Sequence, residues 1–308
     1  MSRSGMIHIP GGAFTMGSDH HYPEEAPSRR VKVDPFWIDE TPVTNAQFAR
    51  FVAETGYKTF AEIPPDPADY PGLRPEDALA GSLVFERTSG PVDTRVVQWW
   101  DFRTGARWNA PLGPGSSIEG IEDHPVVHVG WPDVQAYAQW AGKVLPTEAE
   151  WEFAAWGGRE GSEFSWGDEL APQGQMLANY WQGTFPYSND LLDGWERTSP
   201  VRTYPANGYG LYDMIGNVWE WTLDWYSQPK LEKKAKGSCC TPANPRGGTK
   251  AESIDPHQPG KPFPRKVIKG GSHLCAESYC RRYRPPARHP QSVDSTTSHV
   301  GFRCIIRG

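Results

Sequence analysis

Nowhere in the 308 residues does an apolar run approach the roughly 18 residues that crossing a bilayer takes, and no basic run extends beyond a few residues. The first absence argues against a membrane span. The second, with a net charge of −6, argues against non-specific nucleic-acid binding, which draws its affinity from clustered Lys and Arg. Residues 1–12 hold no apolar stretch of about 7 to 15 residues such as a secretory leader carries, so a cytoplasmic setting is expected. Cysteine is scarce and odd in number, five in all, which leaves at least one thiol over however the others pair. No Cys-x-x-Cys pair is present to nucleate a zinc site.

What the chain does have is 14 Trp, 30 Pro and 32 Gly with 37% hydrophobic residues. That much apolar content excludes a disordered chain, while so much Pro and Gly predicts long loops. Ordering such loops costs conformational entropy that buried aromatic rings offset, and bound ions can tie loop carbonyls together. The tryptophans are therefore read as structural first. Length alone leaves room for two domains, but irregular chains of this size are often one unit, and a single domain over 1–308 is the expectation.

Short apolar runs between Gly and Pro over residues 7–39 predict strands and hairpins. Thr44, then Asn45, Phe48, Phe51 and Val52, with Gly56 beyond, predict a helix over 44–55. Further helices follow Trp131-Pro132-Asp133, ending at Gly142, and Thr147, whose partner Glu150 completes a capping box. Beyond Gly157 little is periodic, so irregular structure with short strands is expected. The stretch 230–264, rich in Pro, Gly and Lys, predicts an exposed insertion, and Cys239-Cys240 within it are loop thiols without an assigned role.

The segment Gly270-Gly271-Ser272-His273-Leu274-Cys275-Ala276-Glu277-Ser278-Tyr279-Cys280 places two thiols five residues apart. Neither a helix nor a strand brings such a pair onto one face, so they converge only if the backbone bends before or between them. Convergent cysteines make either a disulfide or a soft-metal site, and with no further Cys or His ligands nearby a metal site favours copper(I); two ordinary buried thiols are the plain alternative. His124 and His128 would share a face of a helix, but Pro125 speaks against one, so they are read as satisfying backbone groups. Asn179 with Asp193, and Asp213 with Glu220, sit in loop-like segments and could supply oxygen ligands to calcium; turn chemistry is the alternative.

Taken together, Ile9-Pro10-Gly11-Gly12, Pro42-Val43-Thr44-Asn45, His124-Pro125-Val126-Val127-His128, Leu145-Pro146-Thr147-Glu148-Ala149-Glu150-Trp151-Glu152, Trp181-Gln182-Gly183, Asn207-Gly208-Tyr209-Gly210-Leu211-Tyr212, Gly216-Asn217-Val218-Trp219-Glu220-Trp221 and Gly301-Phe302-Arg303-Cys304 resemble, in order, the formylglycine-generating enzymes, or sulfatase-modifying factors. The resemblance implies an α+β, irregular single-domain fold of C-type-lectin-like kind with little regular secondary structure. It implies an oxidoreductase of sulfatase maturation. The post-translational modification turns a cysteine in a Cys-x-Pro-x-Arg segment of a sulfatase polypeptide into Cα-formylglycine, with O2 and a thiol reductant.

By the same resemblance Cys275 and Cys280 would hold Cu(I), with Ser272, Trp219 and Tyr279 lining the pocket for oxygen and the substrate thiol. The substrate thiolate would join the copper, O2 would be activated there, and hydrogen would leave the substrate Cβ. Asn179, Tyr180, Asp193 and Trp195 would hold one structural Ca²⁺; Asp213, Met214, Gly216, Val218 and Glu220 another. Ala276 replaces a His of some relatives, and Ala138, Ala155 and Pro285 replace disulfide partners, which leaves Cys304 unpaired. The competing reading is a catalytically inactive binding module or scaffold of the same fold. An iron-dependent sulfoxide synthase is disfavoured, because His124-x3-His128 is not followed by the required Glu.

Overall fold

In the computed structural model, which describes residues 3–228, 241–258 and 262–308, the apolar runs near the start become four strands: β1 (Met6–Ile9), β2 (Gly12–Met16), β3 (Arg29–Val33) and β4 (Phe36–Asp39). Alternation sets their faces: Val31 and Val33 of β3 are buried, while Arg30 and Lys32 face out. The strands β2 and β3 pair as an antiparallel hairpin with Phe14 opposite Val31.

The helix α1 (Asn45–Thr55) forms where its capping pattern predicts. Thr44 Oγ1 accepts the Gln47 N–H at 3.3 Å, Gln47 Oε1 accepts the Thr44 N–H at 3.0 Å, and Gly56 closes the helix at φ +66°. Its buried face carries Phe48 and Phe51. A hairpin not anticipated above, β5 (Gly81–Phe85) with β6 (Trp100–Thr104), follows after a Pro-rich loop.

The helix α2 (Trp131–Trp140) starts with Pro132 in its first turn and the Asp133 carboxylate accepting the Gly130 N–H at 2.7 Å. The capping box of Thr147 and Glu150 opens α3 (Glu148–Trp156), every residue of which is buried. Burying Glu148 and Glu152 requires cations alongside. Arg288 supplies one to Glu148 at 2.7 Å, and Lys269 another to Glu152 at 2.9 Å.

Against α3 lies a four-stranded sheet ordered β10-β7-β8-β9, built from β7 (Trp219–Trp225), β8 (Arg265–Lys269), β9 (Arg288–Ser292) and β10 (Val300–Gly301). The last strand, β11 (Ile305–Arg307), returns to β4, so β4 lies between β1 and β11 and Ile38 faces both Ile7 and Ile305. Trp151 and Trp221 are wholly buried, in keeping with a structural use of tryptophan. Residues 241–258 run largely exposed, pinned where the Asn244 N–H donates to the Lys32 carbonyl at 2.7 Å. Cys239, Cys240 and much of the rest of the 230–264 stretch lie outside the described residues.

Candidate active site

The two thiols meet because the backbone bends twice. Gly270 and Gly271 take φ values of +95° and +72°, and a side chain on Gly271 would stand 2.9 Å from the Arg282 carbonyl oxygen, so only glycine fits. The Cys275 N–H then closes a turn on the Ser272 carbonyl at 2.9 Å, and the Cys280 N–H reaches back to the Ala276 carbonyl at 2.7 Å. These turns leave the Cys275 and Cys280 sulfurs 3.3 Å apart as free thiols.

Cys275 is 2% exposed, and burial, then the hydrogen bond to Cys280, pushes its thiol well above the ordinary cysteine range. Cys280 is pulled the other way by the hydrogen bond from Cys275 and by the Arg282 guanidinium, whose Nη1 lies 3.7 Å from the sulfur. Cys280 is thus the more acidic member of the pair. Two adjacent sulfurs are the donor set a soft monovalent ion prefers.

Ser272 is wholly buried, and its Oγ accepts the Leu274 N–H at 3.2 Å. Tyr279, 39% exposed, stacks on Phe185 at 4.7 Å between centroids and meets Trp99 edge-on at 5.3 Å. Burial first, then the Cys280 charge, raises its phenol pKa. Trp219 is buried at the start of β7 with its ring 5.7 Å from that of His289. Trp99 and Phe185 carry no signal in the sequence that places them in this wall, whereas Arg282 stands within the stretch that resembles the family's active-site segment, without a role assigned to it there.

Neighbouring loops hold the cysteine segment. The Trp181 N–H donates to the Cys275 carbonyl at 3.0 Å, the His273 N–H to the Asn217 carbonyl at 3.0 Å, and the Asn217 N–H to the Asn179 carbonyl at 2.8 Å. In the first calcium set, Asn179 is buried with its Oδ1 lacking any hydrogen-bond partner, while the Tyr180 carbonyl and Asp193 Oδ2 both meet the amide of Gln182. Burial raises the Asp193 carboxyl pKa, and the Trp195 N–H donates to its Oδ1 at 3.0 Å. An orphaned buried oxygen and a carboxylate destabilised by burial are groups that a hard cation would satisfy.

The second set is differently disposed. Asp213, pushed up to about 6 by burial, accepts the Arg202 N–H at 2.9 Å. The Glu220 carboxylate is taken up by Arg303 Nε at 2.8 Å and by Trp151 Nε1 at 2.8 Å. Met214, Gly216 and Val218 lie on the loop between them, and the Gly216 N–H donates to the Gly270 carbonyl at 2.9 Å. With Glu220 neutralised by Arg303, this set does not fit a divalent ion as well as the first.

His124 and His128 are not on a helix. His128 donates from Nε2 to the Pro111 carbonyl at 2.9 Å, as expected of a structural histidine, whereas His124 Nδ1 pairs with a side chain, Thr198 Oγ1, at 3.0 Å. Cys304 is buried and free. Among the described residues no three or more His, Cys, Asp or Glu side chains gather as a metal site, and no helix is long and apolar enough to cross a membrane.

A family model described as the sulfatase-modifying factor enzyme 1-like domain matches residues 1–308. The formylglycine-generating enzyme of Mycobacterium tuberculosis is 51% identical over 302 residues, spanning 97% of each chain. A protein of Mus musculus named inactive C-alpha-formylglycine-generating enzyme 2 is 44% identical over 312 residues, covering 97% of this chain and 84% of its own. The solved structure of PvdO from Pseudomonas aeruginosa superposes with a TM-score of 0.59 at 24% identity, over 98% of this chain and 94% of that one. At that identity the likeness speaks for the fold alone.

Proposed function

Since this chain belongs to the sulfatase-modifying factor enzyme 1-like family, we propose that it oxidises the cysteine of a Cys-x-Pro-x-Arg segment in a sulfatase to Cα-formylglycine, using copper(I), O2 and a thiol reductant. The observation that carries this reading is the pair of free thiols at 3.3 Å in a Trp- and Tyr-lined wall. Cys275 and Cys280 would hold the ion, which supplies a thiolate-bound centre for oxygen reduction.

The chain's own residues do the rest. Cys280 gives up its proton more readily than Cys275, and ligation releases what protons the two thiols hold. Ser272, held at its oxygen by the Leu274 N–H, can offer its own proton to a group bound beside Cys275. The rings of Tyr279, Phe185 and Trp99 keep water from the site and give the substrate backbone a flat wall.

The overall electron count closes. Turning CH2–SH into an aldehyde with loss of H2S removes two electrons from the substrate, and reducing O2 to two waters takes four. The thiol reductant supplies the difference and leaves as disulfide, while one water hydrates the thioaldehyde. Calcium held by Asn179, Asp193 and the Tyr180 and Trp195 carbonyls would brace the loop behind Cys275 without entering the reaction. Cys304, buried as a thiol, supports a reducing cytoplasmic setting.

The second reading, a scaffold without activity, is favoured by the relative named inactive at 44% identity. Mass spectrometry of a Cys-x-Pro-x-Arg peptide incubated with copper(I)-loaded protein, O2 and thiol, beside a metal-free control, decides between them. Copper-dependent aldehyde is the expected product, and an unchanged peptide with copper bound would establish the scaffold.

A further inference from the structure

The active-site segment is clamped by a turn from the far end of the chain. Residues Pro23–Glu25 form one turn of 3-10 helix, and this turn with Tyr22 before it meets three arginines from just beyond Cys280. The Arg281 N–H donates to the Tyr22 hydroxyl at 3.0 Å, Arg282 lies over the Tyr22 ring at 3.8 Å, and Arg284 donates to Glu25 at 2.9 Å.

Within this clamp the guanidinium of Arg282 is divided. Its Nε and Nη2 donate to Glu24 Oε1, the former at 3.1 Å, and its Nη1 is left for the Cys280 sulfur at 3.7 Å. Arg282 and Glu24 are 18% and 15% exposed, so the charges are only partly screened. The charge of Arg282 acts on both thiols.

From this arrangement we infer that Arg282, aimed by Tyr22 and Glu24, is a positioning residue for copper: it compensates the surplus negative charge that two thiolates carry around a monovalent ion. This rests on the copper reading above and deepens it. Two thiolates and a +1 ion sum to −1, and a buried uncompensated charge is costly. Two thiolates and a +2 ion sum to zero and need no such partner. Arginine suits the place because its planar fork can stack on Tyr22, bind a carboxylate and still reach a sulfur, which a lysine cannot do at once.

A charge-compensating arginine gives an ion selectivity that a merely structural one does not. Affinities of wild type, Arg282→Met and Arg282→Lys for copper(I) and for cadmium(II) are measured in the full-length, metal-free protein by competition with chromophoric chelators. Arg282→Met is expected to weaken copper(I) by about tenfold or more, the effect of one charge at this range, with cadmium(II) held within about threefold; Arg282→Lys regains part of the copper(I) affinity. An equal fall for both ions, or an unchanged copper(I) affinity, overturns the inference. Should Arg282→Met fail to fold, Arg282→Lys decides: a smaller but copper-selective loss supports the role, and no selective loss overturns it. A wild type that binds copper(I) no better than the Cys275→Ser/Cys280→Ser double variant overturns the copper reading together with this inference, whereas tight wild-type binding without ion-selective loss overturns this inference alone.

Discussion

Serine at position 275 or 280 keeps the size of the side chain and removes one of two soft donors. Each substitution is expected to lower aldehyde formation by at least about two orders of magnitude, because groups that act as a unit fail together; mass spectrometry of the peptide product reads the loss. Burial decides a second case. Arg284 and Glu25 are an ion pair with both side chains wholly buried, so Arg284→Met strands a carboxylate and should cost about 3–5 kcal/mol in a denaturant titration. The exposed pair Arg50 and Glu54 of α1 should give no change outside error when Arg50 is replaced by Met. The two cysteines are legible in the sequence as a pair, since a five-residue step permits few geometries. Their charge state is not, because Arg282 takes its orientation from Glu24, 258 positions away, and spacing carries no trace of such a contact.

Elements whose ends are set by neighbouring residues are the ones that sequence makes readable. The helices α1 and α3 both start on a threonine whose partner lies three residues on, and both end on a left-handed glycine, so cap, face and stop sit within one short window. Thr147→Ala removes the acceptor for the Glu150 N–H at 3.1 Å and should lower stability by about 1 kcal/mol, seen as a fall in thermal midpoint. Glu150→Ala should cost more, because its carboxylate also binds Arg307 of β11 at 2.7 Å and so joins the helix to the last strand. The β5–β6 hairpin escaped notice for the opposite reason: a long loop separates its strands, no tight turn marks it, and its pairing is decided by the aromatic wall it builds, where Phe85 meets Trp181 at 5.6 Å. The wall behind Tyr279 was hidden for the same cause.

Across the whole molecule, acid sensitivity follows from buried histidine. His128 and His273 are at most 2% exposed, and burial, with the charge of Arg197 nearby, pushes each down to about 4. An unfolded chain takes up protons on both below its ordinary value of 6.5, while the folded one does not until about 4. Stability is therefore complete above 6.5 and is lost as pH falls. The loss should reach about 1–2 kcal/mol by pH 6. Asp133 and Asp213, pushed up to about 6 by burial, act in the opposite sense; each is half protonated at that value, and together they offset about half of the loss by pH 6. The thermal midpoint should accordingly decline as pH falls from 7 to 6; a level midpoint over that range would mean that these histidines are not held neutral. The family resemblance reached the fold as a whole, yet the sheet in which β4 stands between β1 and β11 could not be read from local pattern, since it joins residues from opposite ends of the chain. That same closure governs what a fragment of the chain can do. Arg282 and the Glu24 that aims it are 258 positions apart, so a proteolytic nick anywhere between them leaves the clamp held by non-covalent packing alone, and no short fragment can carry both of its halves.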